Sequence, residues 1–418
     1  MIQARTGRSG DASSPAGPAR PIPVVLLAFL TGMFFVNIIS RLILAPLLPI
    51  VEQEFSFRHR VAGSLFFFMT VGYCSGLYLS GYVAWRLSHR VTIAASSLTL
   101  GTALLAVSWT PSLAGIRVGL VVLGLGSGLY LPSAIAALTE NTREASWGKA
   151  LAIHELGPNF GYIGTPLLTE FLLGFFSWRG VLGAIGALAI LLGVVFLLSR
   201  LGETSRAQPP SLDIVASLIQ DRALWGMAGL FLVSVGVGLG LYTMMPLFLI
   251  HAVGVDRFSA NMITGLTRAS ALPSVFISGL LADRLGRSRA VAASLAAAGT
   301  CALMVALFRG PWISPLLIFL QAGCVASFYP AGYAMLSTVF PAPFRNIAVS
   351  MVMILGVLVG GGVVPPAVGI LADRYSFSIA FGAAGLATLA SLVLLGCFPA
   401  CTVSPGVTDA REGSTDAR

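Results

Sequence analysis

The sequence predicts an all-α membrane protein with twelve transmembrane helices in two pseudo-symmetric six-helix halves. Three observations support this prediction: the composition, a series of long apolar runs and an internal repeat. Hydrophobic residues make up 56% of the 418 residues, and charged residues only 10%. Soluble domains carry about 25% charged residues. Because so few charges cannot cover a water-exposed surface of this size, a soluble enzyme is excluded.

Apolar runs of about 20 residues, long enough to cross a bilayer as a helix, recur along the chain. Charged residues and Pro/Gly clusters separate twelve such runs, at 24–45, 61–84, 91–109, 116–138, 150–173, 179–199, 226–249, 259–282, 290–308, 314–337, 347–371 and 378–398. The predicted organisation is a disordered cytoplasmic tail (1–22), an N-terminal half (23–199), a cytoplasmic linker (200–225), a C-terminal half (226–399) and a second cytoplasmic tail (400–418).

The two halves are related in sequence. Residues 80–96 and 278–294 are identical at eight of seventeen positions at a fixed offset of 198, and the same offset maps Pro132 onto Pro330. A constant offset across separate helices indicates a duplicated six-helix unit. Many secondary transporters are built from such repeats and hold their substrate between them near the bilayer midplane.

The basic residues predict the orientation. Of the 25 Lys and Arg residues, 16 fall on the side of the termini and 7 on the opposite side. Because basic residues accumulate on cytoplasmic loops, both termini are expected in the cytoplasm and the chain in the plasma (inner) membrane, surrounded by membrane lipid. No basic tract interleaved with aromatic residues indicates a nucleic-acid partner.

The five cysteines show no metal-ligand spacing, so we expect neither a metal nor another cofactor. Nothing in the sequence requires more than a monomer.

The loop between spans eight and nine carries a recognisable pattern. Five residues fit G-x-x-x-D-R-x-G-R-[KR], namely Gly279, Asp283, Arg284, Gly286 and Arg287. Through this pattern the chain resembles the major facilitator superfamily, over residues 24–398. The resemblance implies the twelve-helix fold of that family, transport as the activity, and a gating role for the four residues Asp283, Arg284, Gly286 and Arg287.

The matching loop between spans two and three departs from the pattern, with Trp85 in place of the acid and Ser88 in place of the glycine. The usual gate contact of the first half is therefore in doubt. Span one contains NIISR (37–41), which is similar to the N-Y-x-D-R signature of the anion:cation symporter branch. This similarity makes Asn37 and Arg41 candidate substrate contacts, whereas Ser40 replaces the acid that often binds a proton there.

For Arg41 a second interpretation is equally open. It lies 17 residues after Val24, near the predicted outer end of span one. A long basic side chain at that depth can reach the membrane interface and act as an anchor.

Arg268 is the strongest candidate for substrate binding. It lies 15 residues before Asp283 and 11 after Arg257, close to the midplane of span eight at about 1.5 Å per residue. Ionisable residues at that depth are costly and mark function by default. A guanidinium can hold a carboxylate through two parallel hydrogen bonds. The structural alternative is an ion pair with a buried acid such as Glu155.

Span five carries polar residues on one helical face, among them Glu155, Asn159 and Tyr162. Glu155 is the candidate proton-coupling residue, because a carboxyl group inside a span can alternate between two protonation states. The adjacent His154 is a second candidate. Asn159 and Tyr162, together with Tyr329 of span ten, are candidate substrate contacts. Structural roles remain open for all of them, such as pairing of Glu155 with a cytoplasmic arginine.

The predicted function is secondary active transport of a small organic anion, with a carboxylate favoured, across the plasma membrane by alternating access. A proton is the candidate coupling ion. The alternative is a proton-driven exporter of hydrophobic or cationic compounds, which would use Glu155 and be repelled by Arg268. A non-transporting membrane sensor or scaffold is less favoured. An embedded enzyme is not favoured, because no nucleophile–base set is visible.

Overall fold

The computed structural model describes residues 23–143, 146–199, 201–202, 218–340 and 342–398. Both predicted tails and most of the predicted linker 200–225 lie outside these residues. We number the spanning helices α1 to α12. The face where α2 ends and α3 begins is called the predicted cytoplasmic face, and the other the predicted outer face.

Among the described residues of the first half we number six helices. These are α1 (Val24–Phe55), α2 (His59–Arg86), α3 (His89–Trp109), α4 (Leu113–Asn141), α5 (Trp147–His154 followed by Leu156–Leu173) and α6 (Trp178–Leu198). The second half contains the other six. These are α7 (Arg222–Val253), α8 (Arg257–Ala282), α9 (Arg287–Leu307), α10 (Ile313–Val339), α11 (Ile347–Arg374) and α12 (Phe377–Gly396). The predicted all-α membrane fold is confirmed.

Within the described residues, eleven of these helices are long and apolar enough to cross a membrane by those criteria alone. The exception is α5, which is interrupted at Glu155 and carries polar residues along its length. Pro158 explains the interruption, because it has no N–H to bond the carbonyl four residues earlier and its ring crowds that turn. The predicted span five is thus present as a broken helix, α5.

Several helices begin at a Ser or Asp whose side chain accepts a hydrogen bond from a backbone N–H of the first turn, which stabilises the helix start. These residues are Ser88, Ser112, Ser177, Asp221, Asp256 and Ser376. The side chains of the apolar stretches that follow form the buried core of each half. The largest fully buried ones include Phe66, Phe196, Phe248 and Phe381.

The sequence repeat reappears as a structural repeat. Ser80 of α2 donates its hydroxyl to the carbonyl of Leu129 in α4, at 3.1 Å. Ser278 of α8 donates in the same way to the carbonyl of Ser327 in α10. The second pair follows the first at an offset of 198, so the two halves pack their helices alike.

The halves meet along a seam formed mainly by α1, α2 and α5 against α7, α8 and α11. At the predicted outer face the backbones touch, because a Cβ placed on Gly63 would lie 2.3 Å from the carbonyl oxygen of Pro365. The backbone N–H groups of His59 and Arg60 donate to the Asp373 carboxylate at 3.1 and 3.0 Å. This end of the seam is closed.

Midway across the membrane, Cys74 of α2 still donates to the carbonyl of Ile354 in α11, at 3.8 Å. The next turns of the same face of α2 carry Tyr78 and Tyr82, which are 72% and 47% exposed. The seam is therefore open toward the predicted cytoplasmic face.

Candidate substrate site between the two halves

Arg268 lies at the seam, in the middle of α8. Its helix tightens into a 3₁₀ turn at Thr267–Ser270, a distortion that often marks a functional point within a helix. The guanidinium donates to the carbonyl of Gly238 in α7. It also lies over two rings, 4.5 Å from the centroid of Tyr242 and 5.3 Å from that of Tyr162. Since Tyr162 belongs to the first half, Arg268 contacts both halves.

No acidic side chain among the described residues pairs with Arg268. Ion pairs join Glu52 to His59, Glu54 to Arg179 and Glu170 to Arg257, and all three lie near the predicted outer face. The pair with Glu155, considered from the sequence, is not formed. The charge of Arg268 is stabilised by one carbonyl and two aromatic faces, which leaves guanidinium N–H groups for another acceptor.

The Gly238 carbonyl, which accepts the hydrogen bond from Arg268, lies in a wide helical turn of α7. Residues Gly236–Gly240 of α7 and Val357–Val363 of α11 are π-helical, a feature frequent at functional sites. The two turns touch, because a Cβ on Gly240 would lie 2.7 Å from the carbonyl oxygen of Gly360. Small residues thus allow α7 and α11 to approach closely beside the arginine.

Arg41 lies deeper than the sequence suggested. Helix α1 continues to Phe55, so Arg41 is 14 residues from its outer end, roughly 21 Å at 1.5 Å per residue. Its guanidinium carbon lies 3.8 Å from the ring centroid of Tyr73 in α2. Its Nε is buried and has no hydrogen-bond partner. This placement in the interior of the first half disfavours the interfacial anchor.

Five tyrosines lie in the same part of the seam as the two arginines. We call Tyr73, Tyr162, Tyr242, Tyr329 and Tyr333 the tyrosine cluster. Tyr242 donates its hydroxyl to the Tyr162 carbonyl across the seam, at 2.7 Å. Tyr73 and Tyr329 belong to one apolar cluster that also spans the seam. The predicted contacts Tyr162 and Tyr329 are thus brought together with Arg268, and α1, α2, α5, α7, α8 and α10 all contribute to the site.

Asn37, the other predicted contact from span one, is occupied elsewhere. Its side chain is buried and accepts a hydrogen bond from the Ser127 hydroxyl at 2.6 Å, while its amide donates to the Ser127 carbonyl at 3.3 Å. In this conformation Asn37 joins α1 to α4.

Glu155 lies at the break in α5 and is exposed. Among the described residues no basic side chain pairs with its carboxylate. Its charge acts on Tyr333 of the second half and on Tyr130 of α4. Asn159, one turn further on, donates its amide to the Glu155 carbonyl at 2.8 Å, which satisfies part of the broken turn.

His154 is placed very differently from its neighbour. It is fully buried, stacks on Phe34 at 4.8 Å between centroids, and has its Nε2 3.1 Å from the Tyr130 hydroxyl. Tyr130 in turn donates to the Leu30 carbonyl at 2.6 Å. The imidazole therefore serves the packing of α1, α4 and α5.

The loop predicted to act as a gate connects α8 to α9. Arg284 and Arg287 are exposed, and Gly286 has a φ of 88°, which favours glycine. Ser88 occupies the same place in the first half with a φ of 145°. The side chain of Asp283 is outside the described residues, so its predicted gating contact stays a prediction.

Sequence reasoning missed the contacts that close the predicted outer face. The carboxylate of Glu170, from the polar face of α5, accepts hydrogen bonds from Arg257 and Asn261 of α8. Asn261 also donates to the Pro46 carbonyl of α1, at 3.2 Å. The sequence does place Glu170 and Arg257 at the outer ends of two spans, one in each half, and this could have suggested the pair.

A cavity of about 590 Å³ opens beside these contacts. Its walls include Glu52, His59, His251, Arg257 and Asp373, from both halves. The rings of His59 and His251 meet edge to face at 4.6 Å. This cavity is separate from Arg268.

Comparison with known proteins identifies the family. The sequence profile of the Major Facilitator Superfamily matches residues 30–319 and 244–415. The chain belongs to this superfamily. It is accordingly a multi-pass membrane transporter, and the expected resemblance is confirmed.

Two curated relatives match most of the chain. The tetracycline resistance protein, class G, of Vibrio anguillarum is 29% identical over 323 residues, which cover 71% of this chain and 77% of that protein. The niacin transporter NiaP of Acinetobacter baylyi is 23% identical over 343 residues, covering 71% and 75%.

Among solved structures, a bacterial homologue of the human lysosomal transporter Spinster, inward-facing and unoccupied, aligns with a TM-score of 0.73 at 16% identity. The alignment covers 91% of this chain and 96% of that one. The likeness shows the shared fold.

Proposed function

We propose that this superfamily member is a secondary active transporter of small organic anions, with a carboxylate as the recognised group, in the plasma membrane. The observation that carries the proposal is Arg268, a guanidinium in the middle of a spanning helix, at the seam, with no acidic partner among the described residues. An unpaired charge at that depth is costly. A substrate carboxylate would supply the missing counter-charge through two parallel hydrogen bonds.

Arg41 supports the same proposal from the opposite half. Its buried Nε lacks a partner, and its neighbour Tyr73 shares an apolar cluster with Tyr329. An anion between the two arginines would attract both halves. Alternating access requires a substrate that binds one arrangement of the halves better than the other. The relative named as a niacin transporter fits this reading, because niacin is a carboxylic acid.

Glu155 is the proposed proton-coupling residue. It is exposed, has no basic partner among the described residues and interrupts α5. It lies seven residues from Tyr162, roughly 10 Å along the helix, on the side of the predicted cytoplasmic face. Protonation there would change the charge beside the path by which an anion reaches Arg268. His154 has no role in the proposed proton coupling, because it is fully buried in helix packing.

A thermal-shift assay on the detergent-purified protein tests the proposal. The ligands are acetate, nicotinate, benzoate and the lipophilic cation tetraphenylphosphonium. A ligand that binds only the folded state stabilises it by about 2.7 kcal/mol at a hundredfold excess over Kd. We expect a carboxylate to stabilise the wild type, Arg268→Ala to abolish the shift, and Arg268→Lys to retain a reduced one, because an ammonium lacks the planar fork.

Arg309→Ala is the matched control, because Arg309 is an exposed arginine between α9 and α10. Undiminished carboxylate binding by Arg268→Ala would refute the anion site. Loss of binding in Arg309→Ala as well would point to a general effect of removing charge.

A second candidate function has its own support. A proton-driven exporter of hydrophobic or cationic compounds is favoured by the exposed, unpaired Glu155 and by the similarity to a tetracycline resistance protein. In that case tetraphenylphosphonium would stabilise the wild type, and Glu155→Gln would abolish the effect while Arg268→Ala would not.

A further inference from the structure

The side chains around Arg268 are unusually rich in aromatic rings. Tyr162 and Tyr242 meet edge to face with their centroids 5.4 Å apart, and the guanidinium covers both. Tyr329 lies close by, because a Cβ on Gly238, whose carbonyl binds Arg268, would be 3.7 Å from the Tyr329 hydroxyl. The arginine therefore sits among rings from three helices.

The aromatic surface continues toward the predicted cytoplasmic face. Tyr333 follows Tyr329 by one turn of α10, with centroids 6.3 Å apart. Phe231 of α7 packs behind both, at 6.4 Å from Tyr329 and 5.3 Å from Tyr333. Phe231 is fully buried, whereas Tyr333 is 37% exposed and Tyr329 is half-buried. A layer of rings thus lines the open seam beside the charge.

Two of the four tyrosine hydroxyls in this layer are already engaged. The Tyr242 hydroxyl donates to the Tyr162 carbonyl, and the Tyr333 hydroxyl donates to the Met353 sulfur at 3.2 Å. The rest of the layer is mostly ring surface, so a sugar or another polyol would have only Arg268 and the Tyr162 and Tyr329 hydroxyls to bind. A flat apolar body would instead meet ring faces and edges, with which aromatic rings pair favourably beyond the area that they bury.

We infer that the substrate is an aromatic monocarboxylate, whose carboxylate binds Arg268 and whose ring packs on Tyr162 and Tyr329. This inference rests on the proposed anion site and adds a requirement for the body of the substrate. The rival substrate is a dicarboxylate held between Arg268 and Arg41, since neither arginine has an acidic partner among the described residues. The layer of rings around Arg268 favours the aromatic body over this rival.

The test compares ligands that differ in one property. Benzoate and cyclohexanecarboxylate have the same charge and a ring of similar size, but only benzoate has a π face; succinate is the dicarboxylate. Binding to the purified full-length protein is measured by isothermal titration calorimetry. We expect benzoate to bind about fivefold more tightly than cyclohexanecarboxylate, the size of one good aromatic contact, and more tightly than succinate.

Tyr329→Leu should bring the ratio of the two ring ligands close to one and leave cyclohexanecarboxylate binding nearly unchanged. Tyr375→Leu is the control, because Tyr375 is 66% exposed at the end of α11. If Tyr329→Leu does not fold, the comparison of the three ligands on the wild type still tests whether an aromatic ring is preferred.

Equal wild-type affinities for benzoate and cyclohexanecarboxylate, or tighter binding of succinate, would overturn the aromatic inference and leave the anion site intact. Failure of all three carboxylates to bind at millimolar concentration would remove the proposed function itself, and this inference with it.

Discussion

The two ends of the seam are built from different chemistry. At the predicted outer face, Gly63 lets two backbones touch, Asp373 accepts two backbone N–H groups, and Glu170 pairs with Arg257 across the halves. At the predicted cytoplasmic face the same side of α2 presents exposed rings, Tyr78 among them. The closed end is held by hydrogen bonds and an ion pair, whereas the open end presents flat aromatic surface.

The difference bears on how the protein would change conformation. Trp85 stands where the family's loop pattern has an acid, and Arg86 covers its ring at 4.8 Å. Closure of the cytoplasmic end on the first-half side would therefore depend on aromatic packing, whereas closure of the outer end depends on ion pairs and backbone contact. Since the two ends respond to different substitutions, each can be perturbed separately.

The largest effect is expected for Gly63→Leu. The added side chain would collide with the backbone of Pro365, whose oxygen lies only 2.3 Å from the place that a Cβ would occupy, and backbone cannot move aside cheaply. The ratio of closed to open outer seams should fall by about 5- to 150-fold, since overpacking costs roughly 1–3 kcal/mol. Pulsed EPR distances between spin labels at positions 53 and 375 would report the change.

Gly81→Leu is the matched control, because it lies on the same helix and a Cβ there meets nothing within 4 Å. An unchanged label distance in Gly63→Leu would show that the backbone contact is not needed for closure.

A smaller effect is expected for Glu170→Gln. The neutral side chain keeps an acceptor for Asn261 but loses the charge that pairs with Arg257. Because Arg257 is partly exposed, the loss should be about 1 kcal/mol, or roughly fivefold in the closed population. Glu54→Gln serves as the control, since its partner Arg179 lies in the same half. Equal shifts in both variants would argue against a latch across the seam.

The smallest effect is expected at the cytoplasmic end. Trp85→Ala removes a ring that would pack only when that end closes, so it should favour the open state by about 0.5 kcal/mol, the lower end for an aromatic contact. Trp312→Ala is the control, because Trp312 is 89% exposed at the predicted outer face. Spin labels on the cytoplasmic ends of α2 and α8 would measure the balance. A shift toward the closed state would contradict an aromatic gate.

Much of the fold followed from the sequence, because composition, span length and the offset of 198 are local or periodic signals. Arg268 was also predictable, since a charge inside a span is conspicuous. The depth of Arg41 was misjudged because Pro46 and Pro49 resemble a helix end. The helix instead breaks briefly at Ile43 and continues to Phe55. Pro46 lies in the first turn of the new segment, where a helix tolerates proline.

Contacts across long sequence separations could not be predicted. His154 is buried by Tyr130, 24 residues away, and Glu170 pairs with Arg257, 87 residues away. Neither contact leaves a pattern in one sequence, because both depend on how α4, α5 and α8 are brought together by packing elsewhere. The tyrosine cluster likewise depends on the packing of four helices, α2, α5, α7 and α10.

An anion bound at Arg268 is expected to draw the two halves together. The most direct measurement places spin labels at positions 81 and 279, which correspond in the two halves and have open space around them, after replacement of the five native cysteines. Benzoate should shorten the distance between the labels in the wild type and leave it unchanged in Arg268→Ala. The same shortening in both proteins, or none at saturating benzoate, would contradict the account.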